Sequence, residues 1–137
     1  MTAQESKEAA GGWTLCICQA KVDSKEDGTV AASKQTMQDK NCRPALADTN
    51  APVADADIIF VGYPVWWYRE PSIIDSFLEA YDFTGKKIVL FATSGSSDIG
   101  NEAPARVAEI TKAEVLPGKR FSANASADEL KAWAERL

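Results

Sequence analysis

The sequence predicts an α/β fold: a doubly wound parallel sheet of about four strands with helices on both faces. Three observations carry this. Short apolar runs alternate with amphipathic helical segments along most of the chain. The runs "IIFV" and "KIVLFA" are continuous and rich in β-branched residues, as strands buried on both faces are. Crossover connections between such strands are right-handed, which places the helices on both sides of the sheet.

The elements follow in order. Residues 1–10 are polar and hold helix formers in "AQESKEAA", ending at Gly11–Gly12, a helix-stop signal. "WTLCICQAKV" reads as a strand, and "DSKEDG" as a turn or loop. "TVAASKQTMQDKN" reads as a short helix, and "CRPALADTNAPVADA" as irregular connection. Ile58 to Val61 is the next strand. Pro71 opens a helix with Ile73, Ile74, Phe77, Leu78 and Tyr81 on one face, and Gly85 follows it as a breaker. Lys87 to Ala92 is the second buried strand, followed by the Gly/Ser loop "TSGSSDIGNE". A helix over about Glu102 to Thr111 turns Val107 and Ile110 inward. "AEVLPGKRF" is a third strand, broken or ended by Pro117–Gly118. Ser126 caps a last helix, with Glu129 completing a capping box and Leu130, Trp133, Ala134 and Leu137 facing inward. Residues 1–137 read as one domain.

Composition narrows the function. The formal charge is −5, so no Lys/Arg-rich face for nucleic acid or anionic membrane is expected. No apolar run has the length of a membrane span, and no signal peptide is visible, so the expected location is the cytoplasm. The sequence has no histidine, which removes a histidine general base, a Ser-His-Asp triad and the commonest zinc sites. Neither a metal site nor a catalytic side chain is expected. Cys16, Cys18 and Cys42 are an odd set with one tight pair, and read as small hydrophobes in a reducing compartment.

Ligands of open parallel sheets bind outside the carboxyl ends of the strands. Two loops belong there: "YPVWWYREP" after "IIFV" and "TSGSSDIGNE" after "KIVLFA". The first offers aromatic faces. The second offers backbone N–H groups, hydroxyls and little bulk. Together they suit a flat, aromatic, hydrogen-bonding ligand.

The stretch "DADIIFVGYPVWWYREPSIIDSFLEAYDFTGKKIVLFATSGSSDIG" resembles the short-chain flavodoxin-like family. The family pattern is a strand ending in G-Y-P-x-W-W, a helix with F-L-E-x-Y-D-x-x-G-K, and a strand ending in T-S-G-x-S-x-I-G. The likeness continues through "VLPGKRF" and "ADELKAWAERL", and upstream through "CRPAL" and "KEAAGGWTLCICQAK". By this resemblance Pro64, Val65, Trp66, Trp67 and Tyr68 lie beside the isoalloxazine ring of FMN. Thr93, Ser94, Gly95, Ser96 and Gly100 lie along its other side. One of the two tryptophans is equally a candidate for core packing under the adjacent helix.

The resemblance also implies a difference. The family grips the FMN phosphate with a loop after its first strand, at a helix N-terminus where free N–H groups favour an anion. That strand and loop are absent here, so improvised contacts would hold the phosphate and FMN would bind weakly or not at all. The "IIFV" strand then needs a neighbour: either "WTLCICQAK" pairs with it or another chain does, and a homodimer is expected. Two function classes follow. One is an FMN-binding electron carrier or small FMN-dependent oxidoreductase, whose acidic balance would lower the flavin potential and whose redox partner or substrate is not specified. The other is a flavodoxin-like domain that has lost FMN and serves as a binding or assembly module or a degenerate remnant.

Overall fold

The computed structural model describes residues 2–4, 17–19, 41–46, 49–65, 68–95, 98–100 and 102–137. The expected strand at 58–61 runs from Ile58 to Pro64 (β3) and that at 87–92 from Lys87 to Thr93 (β4). Glu114–Phe121 forms β5. These three strands are parallel, in the order β3-β4-β5. Helices Ser72–Ala80 (α1), Ala103–Thr111 (α2) and Ala127–Ala134 (α3) alternate with and follow them. The α/β class and the parallel sheet are therefore as the sequence predicts.

Strand alternation sorts the side chains onto two faces. Ile59, Val61, Tyr63, Ile88, Leu90 and Ala92 turn toward α1 and α2 and are buried with Ile74, Phe77, Leu78, Phe83 and Val107. Each fully buried aliphatic or aromatic side chain stabilises the fold by about 1.5–3 kcal/mol. The opposite face carries Phe60, Phe91 and Phe121, and α3 covers it through Trp133, whose ring meets all three edge-on at centroid distances of 5.2–6.3 Å. Helices thus lie on both faces. As expected, Ser126 caps α3, its Oγ accepting from the Glu129 N–H at 3.2 Å. Lys112 ends α2 in the left-handed conformation.

Two elements differ from the sequence reading. Pro117–Gly118 neither breaks nor ends β5. Val89 pairs with Leu116 and Phe91 with Lys119, so both residues stand opposite Leu90 as a bulge. An edge strand tolerates the missing proline N–H, and a Cβ at Gly118 would lie 2.5 Å from the Leu90 carbonyl oxygen. At the N-terminus, Thr2–Gln4 (β1) is extended, although its surroundings are rich in helix formers. It pairs antiparallel with Ile17–Gln19 (β2), and cross-strand hydrogen bonds override local propensity there. Within the described residues the ladder of β2 is with β1, not with β3. The helix proposed over 29–41 lies, but for Asn41, outside the described residues, as do Trp13 and Cys16.

Candidate functional site

Pro64 and Thr93 are paired residues at the carboxyl ends of β3 and β4, so the two candidate loops leave the sheet side by side. The Val65 N–H donates to the Thr93 carbonyl oxygen at 3.2 Å and carries the ladder one residue into the loops. The buried Tyr63 hydroxyl donates to the Ile99 carbonyl oxygen at 2.7 Å, fastening the second loop to β3. Burial comes first among the causes that push the Tyr63 phenol above its usual range, followed by the negative charges of Glu70 and Asp98. It therefore remains a donor through neutral pH.

At their far ends the loops touch again. Gly100 has φ +95°, and a Cβ there would lie 3.1 Å from the Tyr68 carbonyl oxygen and 3.6 Å from the Arg69 Cα. Glycine avoids both the strain of that φ and the tight contact with the Tyr68 carbonyl. Tyr68 itself has φ +67° and is 79% exposed. A left-handed backbone costs a residue with a Cβ about 1–2 kcal/mol, so an exposed tyrosine held there marks a constraint imposed by its surroundings. Between the contacts, Pro64, Thr93 and Gly95 are exposed. A Cβ added at Gly95 would meet nothing within 4 Å, so the backbone there is open to a flat ligand. Ser94 is held from β5: its N–H donates to the Phe121 carbonyl oxygen at 3.4 Å, and Arg120 Nη1 donates to its carbonyl oxygen at 3.3 Å.

Of the residues implied for the ring, Pro64, Val65, Tyr68, Thr93, Ser94, Gly95 and Gly100 thus belong to two adjoining loops at one end of the sheet. Trp66, Trp67 and Ser96 lie outside the described residues. The open backbone at Gly95 and the exposed aromatic at Tyr68 fit a planar ring. Among the described residues no group of metal-ligating side chains comes together, and no helix is long and apolar enough to cross a membrane.

Sequence reasoning missed a buried charged cluster beneath the site. Arg69 Nη2 donates to Asp75 Oδ2 at 2.7 Å and to Glu70 Oε1 at 3.2 Å. Arg106 donates to the same two oxygens, from Nη2 to Asp75 at 2.8 Å and from Nε to Glu70 at 3.0 Å. Burial, and then Glu70, pushes the Asp75 carboxyl above the ordinary aspartate range against the pull of Arg106 and Arg69. Losing one partner of a buried ionic set costs about 3–5 kcal/mol, because the other charge is left unpaired. A signal was present: Asp75 shares the buried arc of α1 with Ile74 and Leu78, a place where a carboxylate needs a cation.

Comparison with known proteins shows the family. The flavodoxin family matches residues 15–137. Two solved structures are similar, both of candidate flavoproteins. One, from Bacteroides uniformis ATCC 8492, is 34% identical over 78% of this chain and 68% of its own, with a TM-score of 0.68. The other, from Bacteroides eggerthii DSM 20697, is 29% identical over 77% of this chain and 66% of its own, with a TM-score of 0.66. The chain therefore spans about two thirds of the length of these relatives. No curated protein matches it.

Proposed function

Since the chain belongs to the flavodoxin family, we propose that it binds FMN and works as an electron carrier or small FMN-dependent oxidoreductase. The isoalloxazine ring lies between the 64–68 and 93–100 loops. The observation that carries this reading is the double tie between the loops: Val65 to Thr93 where they leave the sheet, and Tyr68 against Gly100 where they return. Loops already tied to each other at both ends would accept a ring with little ordering cost. Trp66, Trp67 and Tyr68 supply aromatic faces, and the Thr93–Gly95 backbone supplies polar groups for the ring edge. The flavin supplies the redox chemistry when bound, and the protein orients it and sets its potential.

The reading extends to a homodimer, formed by edge pairing of strands or by exchange of the N-terminal segment. Sedimentation at low micromolar concentration tests that part, and a clean monomer rejects it.

Addition of FMN to the flavin-free protein tests the main reading. The expected result is a perturbed flavin absorption spectrum and quenched tryptophan fluorescence. Replacing both Trp66 and Trp67 with alanine should weaken binding by about 1–3 kcal/mol. A protein that leaves the FMN spectrum unchanged at excess flavin is instead a family member without its cofactor, acting as a binding or assembly module.

A further inference from the structure

The charged cluster under the loops is built in an unusual way. Glu70 and Asp75 each use one carboxylate oxygen for both arginines. Glu70 Oε2, Asp75 Oδ1, Arg69 Nε and Arg69 Nη1 are buried with no hydrogen-bond partner among the described residues. Buried polar atoms left this way weaken a fold, and an apolar packing of the same volume is often as stable. Stability alone is thus a poor account of the cluster. Its geometry offers another.

The four residues come from three places. Arg69 and Glu70 end the first loop, Asp75 lies in the first turn of α1, and Arg106 lies in the first turn of α2. α2 begins where the second loop ends: the Ala103 N–H donates to the Gly100 carbonyl oxygen at 3.3 Å. The near ends of both loops are fixed by the paired strand ends Pro64 and Thr93. The far ends converge on one ionic centre. Arg69 also follows the strained Tyr68 directly and packs its Cα toward Gly100. Arg106 meets the two carboxylates through two nitrogens, Nη2 and Nε, a planar fork that fixes orientation as well as charge, while Arg69 joins the same two oxygens through Nη2 alone.

We infer that Arg69, Glu70, Asp75 and Arg106 form a positioning unit that holds Tyr68 against Gly100 and so keeps the two ring loops in register. Arg69 is the positioning residue at its centre. The inference rests on the flavin reading for its purpose, but the positioning can be measured without flavin.

The test uses Arg69→Gln, the milder Arg69→Lys, and Phe83→Leu as a control that lowers stability from the core, away from the loops. Amide hydrogen exchange is followed by NMR on flavin-free protein. The positioning account expects exchange at Tyr68, Arg69, Ile99 and Gly100 to rise in Arg69→Gln at least ten-fold more than at Val89 and Leu90, whose own rise reports the global loss of stability. Arg69→Lys keeps a charge on a shorter, differently shaped side chain, and falls between. Phe83→Leu leaves the loop amides in step with the β4 amides. Loop exchange unchanged in both Arg69 variants, or raised equally in loops and strand, overturns the inference. FMN titration is the second arm. Arg69→Gln should weaken binding at least ten-fold and Phe83→Leu less than two-fold, and equal affinity in parent and Arg69→Gln overturns the link to the ring site. A parent protein that binds no FMN rejects the flavin reading, and the exchange arm then decides the positioning by itself.

Discussion

The Tyr63 hydroxyl donates to the Ile99 carbonyl oxygen across 2.7 Å, joining the end of β3 to the loop that follows β4. The two residues are 36 positions apart in sequence, and the bond is one of the ties that hold the second candidate ring loop beside β3. Tyr63→Phe keeps the ring packing and removes only the donor. It should cost about 0.5–1.5 kcal/mol, the net worth of one hydrogen bond. Urea unfolding measures that cost. The exchange rate of the Ile99 and Gly100 amides should rise in the same variant, and an unchanged rate there would mean the bond does not hold the loop.

Tyr68 pays for a left-handed backbone that glycine adopts freely. Tyr68→Gly should therefore be more stable than Tyr68→Ala by about 1 kcal/mol, since both lose the ring and only alanine keeps the strain. Thermal melts of the two variants check the order. Both should bind FMN more weakly than the parent, because both lose the exposed aromatic face. A glycine variant that gains stability and keeps full flavin affinity would free Tyr68 of any part in the site.

Arg43 and Glu79 supply a pH dependence. Arg43 Nε and Nη2 both lie 2.8 Å from Glu79 Oε1. The hydrogen bond from Arg43 holds the Glu79 carboxyl below its ordinary range. A depressed folded-state pKa gives stability that is present above the ordinary glutamate range and is lost as pH falls through the folded value. The Glu79 side chain is 44% exposed, so solvent screens the pair and its worth is at most about 1 kcal/mol. The stability difference between the parent and Glu79→Gln should be small at pH 7 and smaller still at an acid pH below the ordinary glutamate range, as the carboxyl takes up its proton. Urea midpoints at the two pH values measure it, and a difference that grows on acidification would reverse the assigned sign.

The core of the fold was legible because apolar periodicity reports burial directly. Ile59, Val61, Ile88 and Leu90 sit in strands, and Ile74, Phe77 and Leu78 on the inner face of α1, where the spacing put them. The loop pair was legible because parallel strands have one carboxyl end, and Pro64 and Thr93 share it. The Pro117–Gly118 bulge was not, since its register depends on the Leu90 backbone beside it. The arginine–carboxylate cluster was hidden for a similar reason: Arg69 and Arg106 are far apart in sequence and meet only when α1 and α2 pack on the same face. Tyr63 read as the first residue of the loop after "IIFV", and nothing local shows that it continues the strand or that its hydroxyl reaches Ile99.

The central claim is that one flat ring is held between the two loops at the carboxyl end of the sheet. The most direct measurement is an NMR map of backbone amide shifts during titration with FMN, repeated with riboflavin, which has the ring and lacks the phosphate. The account predicts that Val65, Tyr68, Ser94, Gly95 and Gly100 move most with both ligands, and that Lys131 on α3 and Glu135 just past its end stay in place. Shifts absent at saturating flavin, or concentrated away from the 64–68 and 93–100 loops, would contradict it.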